Sequence, residues 1–510
     1  VAGSWFTQVR RFKSPVRTVA AVLLRSRETQ ANRAREKTAE IARLRRVNEQ
    51  QQRHITRLEQ DLADARYRKR QLDVENSRLR QQPPVLPDDP RLPHHEFGAK
   101  MIALCVNLAR TIGLRPCVRC LKIVFEWLGI EQRIPDWTTV RTWLMRVGVA
   151  AIEEPVEQAD DWIWMADHSN QIGPEKALVV LGLRASQMPP PGTPLTHANV
   201  RTLLVQPGTN WKREDMADAY DQLAARTGAP RAVLVDGAIE LREGADVLKT
   251  RRTDSIVLRD FKHDAANVLK KIVGDDDRFA DVLSHIGRTR SAIQQTELAH
   301  LTPPGKKPKA RFMNLAATLK WATMVLWHLS HPYSNARREM TTARMNEKLG
   351  WLRKYRDDIE HWLACQSVVS VSLTFINEQA VFRGAADALA AVLHPLRTCD
   401  SAGHVADRLI EFVRTAEQQL VPGERLPLST EILESSFGLF KQLEGQHSKG
   451  GFTSLLAAFG ALFKPATADS IRNDFARVPV STLRAWVRTN LKTTLAAKRN
   501  AAYTEFAKAA

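Results

Sequence analysis

The chain has 510 residues, 44% of them hydrophobic, a length beyond one ordinary core and a composition that excludes wholesale disorder. Its formal net charge of +19 and pI of about 9.9 point to a polyanionic partner, either nucleic acid or an anionic membrane. Five scattered cysteines make no disulfide framework and favour a reducing compartment. No apolar run reaches membrane-spanning length, so nucleic acid is the preferred partner.

Residues 1–27 are basic. From about 28 to 82 the chain lacks Pro and Gly and fits a heptad, with a positions Ile41, Asn48, Ile55, Leu62, Lys69 and Asn76 and d positions Leu44, Gln51, Leu58, Ala65, Leu72 and Leu79. This spacing buries one narrow seam against a partner helix, and an a-position Asn is best satisfied by its twin in a parallel dimer. The expectation is a dimerising coiled coil; the alternative is a solvated helix folding back on its own chain. Pro83, Pro84, Pro87, Pro90 and Pro93 make a stiff linker over 83–95.

Residues 96–150 read as three helices. Asp136 or Thr138 can cap the last, and Arg141, Thr142 and Arg146 are expected on its exposed side. A short, basic helix after a turn is how a helix-turn-helix addresses a major groove; a plain helical bundle gives the same pattern.

Near residue 160 the texture changes to short apolar, β-branched runs: Trp162–Asp167, Ala177–Leu183, Val200–Val205, Ala232–Val235 and Ser255–Leu258. Helical patterns fall at about 213–226, 238–249 and 261–273. Three strands on short connections, then strand–helix alternation, give an antiparallel meander followed by parallel crossovers, the strand order of an RNase H-like fold. Residues 274–425 look helical, with a possible extended run at Val368–Phe375. A patterned helix follows at about 430–444, and basic helices occupy 467–510. The fold class expected is thus multidomain and mostly α with an α/β core: an N-terminal coiled coil, a helix-turn-helix domain, and an RNase H-like mixed sheet (160–273 and 426–466) interrupted by a helical insertion.

Asp167 ends the first apolar strand and Asp236 ends the fourth. Rigidly mounted carboxylates at strand ends suit magnesium, and two such ions about 3.5–4 Å apart support in-line displacement at phosphorus. A third acid is expected from the helix near 430–444. Glu434 is preferred over Glu431, because a first-turn acid complements the helix dipole without further purpose. Gly438 and Lys441 share a face with Glu434; Lys441 is a candidate phosphate contact. Asp260 and Asp264 are rival acids with a helix-terminal explanation. His168 and His263 read as structural histidines, Cys117-x-x-Cys120 as a buried helical pair, and Trp162 and Trp164 as core. No Walker-type or GxGxxG motif occurs, which excludes the common nucleotide-driven classes.

These residues carry a resemblance. Trp164-Met165-Ala166-Asp167-His168-Ser169 with Ile172-Gly173 and Leu178–Gly182, Val235-Asp236-Gly237, Asp260–Lys270, Glu434 with Lys441, and Trp137–Trp143 together resemble bacterial insertion-sequence transposases of the DDE class. The resemblance implies a metal-binding triad of Asp167, Asp236 and Glu434, two Mg2+ ions with Mn2+ as substitute, and cleavage and strand transfer at element ends. It implies double-stranded DNA as partner (element ends and target), with Arg141, Thr142, Arg146 and Lys441 as contacts, a homodimer through the coiled coil, and a cytoplasmic, nucleoid-associated setting. A non-enzymatic DNA-binding repressor and a structure-selective nuclease on the same fold are the alternatives.

Overall fold

The computed structural model describes residues 16–81, 88–170, 175–252, 255–274, 276–305, 312, 315–331, 342–445, 453–491 and 495–509. Residues 1–15 of the basic N-terminal segment, Pro83, Pro84 and Pro87 of the linker, and Ile172-Gly173 lie outside them. The chain divides into two compact units, the first being essentially residues 1–87 and the second nearly all the rest.

The first unit is one uninterrupted helix, α1 (Val16–Gln81), of 66 residues. With neither Pro nor Gly inside it, nothing breaks the hydrogen-bond ladder. The apolar seam residues Ile41, Leu44, Ile55, Leu58, Leu62 and Leu72 are open, each about half exposed or more.

The second unit is mostly helical around a five-stranded mixed sheet of order β3-β2-β1-β4-β5. The strands are β1 (Trp162–Asn170), β2 (Glu175–Arg184), β3 (Arg201–Thr209), β4 (Ala232–Val235) and β5 (Ile256–Arg259). β1 pairs antiparallel with β2, and β2 antiparallel with β3; β4 pairs parallel with both β1 and β5. Trp162, Trp164 and Ala166 alternate onto one face of β1, where they pack with Val233 and Val235 against Met216, Tyr220 and Leu223 of α5 (Arg213–Thr227) and Leu241 and Leu248 of α6 (Ile239–Arg251). Ile163, Met165 and Asp167 take the opposite face.

Helix α7 (Phe261–Val273) follows β5. Then come α8 (Asp277–Ile293), α9 (Leu315–Ser330), α10 (Thr342–Leu349), α11 (Arg356–Gln379), α12 (Ala385–Leu393) and α13 (Asp400–Glu417). The possible extended run Val368–Phe375 is the interior of α11. Val368, Val369 and Ser372 are buried there among α7, α9, α12 and α13, so tertiary packing overrides their β preference. A short pair, β6 (Val381–Phe382) with β7 (Arg425–Leu426), closes this helical part. The forked pair Arg231–Glu424, with contacts of 2.7 Å, ties its end to the start of β4. Helix α14 (Glu431–Gly445) then packs on β1.

The remaining helices make one assembly from two distant stretches. α2 (Ala99–Ile112), α3 (Leu114–Leu128) and α4 (Trp137–Ile152) are joined by the 3-10 segment Ser454–Leu462, α15 (Ala468–Arg477) and α16 (Val480–Leu491). The last helix is α17 (Leu495–Ala509). α4 crosses the 3-10 segment at Gly148 and Gly460. A Cβ on Gly148 would sit 2.0 Å from the Ala457 carbonyl oxygen, and one on Gly460 would sit 2.6 Å from that of Gly148. This close approach requires both glycines.

Candidate active site

Two acids come from neighbouring strands: Asp236 directly follows β4, whereas Asp167, expected to end the first strand, lies inside β1, which runs on to Asn170 because its pairing with β2 continues past the apolar run. Ala166 and Val235 are register partners in the parallel β1–β4 pair, so the residues that follow them, Asp167 and Asp236, project side by side. Their carboxyl groups lie within hydrogen-bonding reach of each other. Asp167 Oδ1 accepts from the His168 backbone N–H at 2.6 Å, and Asp236 Oδ1 from that of Ala238 at 2.8 Å. Asp167 is 8% exposed, whereas Asp236 is half-buried. Burial, and then the adjacent Asp236 charge, holds the Asp167 proton affinity well above the usual carboxylate range.

Beside this pair a second group of ligand-type atoms converges. One ligand atom each from Asp260, His263 and Glu434 lies within 4.8 Å of the others. Asp260 caps α7, accepting from the backbone N–H groups of Lys262 at 3.4 Å and His263 at 3.2 Å. It also accepts from the Thr430 N–H at 3.0 Å, one residue before α14, and thereby joins the starts of two helices. Its buried carboxylate meets His263 Nδ1 at 2.5 Å. That hydrogen bond raises the imidazole to about 9 against the opposing effect of burial, with Asp236 and Glu434 adding in the same direction. His263 in turn lowers Asp167, so one imidazole lies within electrostatic reach of four acids from both groups.

Lys262 reaches the other way. Its Nζ donates to Glu434 Oε2 at 2.8 Å and lies 2.9 Å from Glu431 Oε1. Burial works against the ammonium, and the two carboxylates outweigh it, so its pKa is raised. The expectation that Glu431 alone occupies the first turn does not hold, because α14 begins at Glu431 and both acids fall in that turn. What separates them is partnership: Glu431 Oε2 is also held by Asn377 Nδ2 at 2.6 Å, while Glu434 faces Asp260 and His263. Asp260, expected in the first turn of its helix, is the N-cap instead. Asp264 does lie in that turn and pairs with Arg259 at 3.1 Å.

His168, next to Asp167, is buried against Trp211, with ring centroids 5.6 Å apart. Burial lowers it to about 4, so it is a neutral packing residue at ordinary pH. Tyr220 lies beneath the acids, fully buried, and burial followed by Asp236 and Asp167 pushes its hydroxyl pKa up.

The expected DNA contacts divide. Lys441 is exposed on α14, and a Cβ on nearby Gly438 would meet nothing within 4 Å, so this face of the helix is open. Arg146 is not a surface residue. It is 3% exposed, donates to the carbonyls of Val478 at 2.8 Å and Phe475 at 2.9 Å, and lies 3.6 Å over the Phe475 ring. Burial lowers it to about 10. Arg141 turns its guanidinium to Ser454 Oγ, and Thr142 Oγ1 donates to the Thr138 carbonyl at 2.9 Å within its own helix. The helix expected to enter a groove is covered by the C-terminal segment, a contact with no local sequence signal. The roles of Lys262 and His263 were also missed; their only signal was position, directly after a capping Asp and opposite an acidic helix start.

No family model and no curated protein matches the chain. Among solved structures it is similar to the Drosophila P element transposase strand transfer complex, at 13% identity, covering 78% of this chain and 94% of that one, with a TM-score of 0.37. A likeness at that level carries no functional argument, which rests on the acids themselves.

Proposed function

We propose that the chain is a DDE-type DNA transposase, a metal-dependent phosphoryl-transfer enzyme that cleaves the ends of a mobile element of the bacterial insertion-sequence kind and joins them to target DNA. One observation carries the reading: Asp167 and Asp236 stand side by side on adjacent parallel strands, and His263, which faces Glu434 and Asp260, is within electrostatic reach of both. The sheet order, with its antiparallel first half and parallel second half, supports an RNase H-like core. The donor set fits magnesium, because the ligands are hard carboxylate oxygens and the raised proton affinity of Asp167, due first to burial and then to the adjacent Asp236 charge, is of the kind that a divalent cation offsets. Asp167, Asp236 and Glu434 would hold the metal, which supplies Lewis-acid stabilisation of charge developing around phosphorus. Of the chain's own groups, the backbone N–H bonds orient the two Asp carboxylates and Lys262 positions Glu434. Lys441, beside the open Gly438, receives a DNA phosphate. The exposed α1 seam, with Asn48 and Asn76 at a positions, supports a homodimer that pairs two element ends.

The test is Mg2+-dependent cleavage of element-end DNA by the full chain. Asp167→Asn is expected to lower the rate by about 10³-fold or more while leaving DNA affinity within about threefold. Cleavage that persists in this variant would sink the proposal. One observation favours a second reading, a DNA-binding repressor: Lys262 and His263 already supply cationic partners to the acids. For that reading, Mg2+ should leave the thermal midpoint of the wild-type chain unchanged. A structure-selective nuclease would use the same acids, and strand-transfer products separate it from a transposase.

A further inference from the structure

β5 is an edge strand, bonded to β4 on one side only. Its Ile256 N–H donates to the Arg231 carbonyl at 3.0 Å, and the N–H of Asp260, just past its end, donates to the Val235 carbonyl at 2.9 Å. The alternation of a parallel ladder then turns the N–H and C=O of Val257 and Arg259 away from β4. None of these four groups has a hydrogen-bond partner among the described residues. An open edge of this kind is a template for another strand. Beside it lies a groove of about 440 Å³, walled by α7 and α13. Five charged side chains line the groove: Arg259, Lys271 and Arg408 against Asp264 and Glu411. Both acids are already paired, Asp264 with Arg259 at 3.1 Å and Glu411 with Arg414 at 3.4 Å. Lys271 and Arg408 are exposed and make no ion pair among the described residues. On the α13 wall, Arg408, Phe412 and Thr415 share one helix face, and the Arg259 guanidinium lies 5.1 Å from the centre of the Phe412 ring.

We infer that this groove takes an extended acidic segment of another protein, which adds to the β5 edge as a further strand, sets carboxylates on Lys271 and Arg408 and lays an apolar side chain on Phe412. Backbone pairing supplies the affinity of such an arrangement, and alternate side chains supply the selectivity. A peptide answers both kinds of unpaired group on the edge. A phosphodiester backbone carries acceptors only and would leave the Val257 and Arg259 carbonyls without donors. The longer stretches outside the described residues, 1–15, 82–87, 306–311, 332–341 and 446–452, hold one acid, Glu339, against ten Lys or Arg, so their charge does not suit the groove and the segment comes from a partner. The inference goes beyond the transposase reading and does not depend on its metal-binding acids.

The experiment titrates the full chain, in chelator, with a fluorescent peptide of about six residues that alternates Glu and Val. Saturable binding below about 1 mM is expected. The same peptide methylated on its backbone nitrogens cannot donate to the two carbonyls and should bind at least about tenfold more weakly. Two variants change exposed side chains only: K271Q with R408Q removes the free cations, and T415W fills the groove from α13. Each should weaken the parent peptide by at least about tenfold, with circular dichroism and Tm as checks on the fold. No saturable binding of the parent peptide to the wild-type chain would overturn the inference, as would equal binding by the methylated peptide or by T415W. If duplex DNA displaces the peptide and loses affinity in both variants as strongly as the peptide does, the partner is nucleic acid and the inference fails.

Discussion

At the residue scale, the acid cluster is held in a state that its own charges oppose. Asp167 binds its proton more tightly in the fold than in an open chain, so at neutral pH its ionised form costs stability. Asp167→Asn should leave the metal-free thermal midpoint unchanged or higher, while removing the rise that Mg2+ gives the wild-type chain. A clear fall in the metal-free midpoint would show that the carboxylate is needed for folding. His263 behaves in the opposite sense. Its folded value of about 9 lies above the ordinary 6.5, so its contribution is fully present below about pH 6.5 and disappears as pH rises through about 9. In chelator, the wild-type midpoint should therefore decline over this window more steeply than that of His263→Asn. Parallel curves would mean that the Asp260–His263 contact carries no charge. The positions of Asp167 and Asp236 were legible in the sequence, because each follows an apolar run, although β1 continues past Asp167 to Asn170. The attachment of Lys262 to Glu434 was not, because it joins residues 172 positions apart.

At the scale of elements, α4 illustrates how a surface reading fails. Its periodicity gave a helix and its Arg and Thr residues suggested an exposed face, yet nothing in the helix itself revealed that a second segment covers it. Arg146 satisfies two carbonyls of that segment, so Arg146→Met should cost about 2–3 kcal/mol and leave the salt dependence of DNA binding unchanged. A weaker salt slope with normal stability would return Arg146 to the DNA-facing set. Gly148→Ala should destabilise this helical assembly by about 3 kcal/mol, because the added methyl meets backbone that cannot yield. Thermal or urea unfolding of that variant measures the cost. The run Val368–Phe375 failed for the same reason as α4: a short apolar stretch specifies burial, and only its neighbours decide between helix and strand.

For the whole molecule, what the sequence alone determined was local. It gave the heptad helix, the five strands, the change of texture near residue 160 and the two acids that follow apolar strand runs, each written in the local pattern and each needing no distant partner. Tertiary structure decided which surfaces remain. The segment after 453 completes a helical assembly begun before 150, with Arg146 bonded to a carbonyl 332 positions away. The acids gain their partners from α7 and α14 in a similar way. Pairings over such separations are selected by shape and by the satisfaction of buried polar groups, and those properties exist only once the backbone has closed around them.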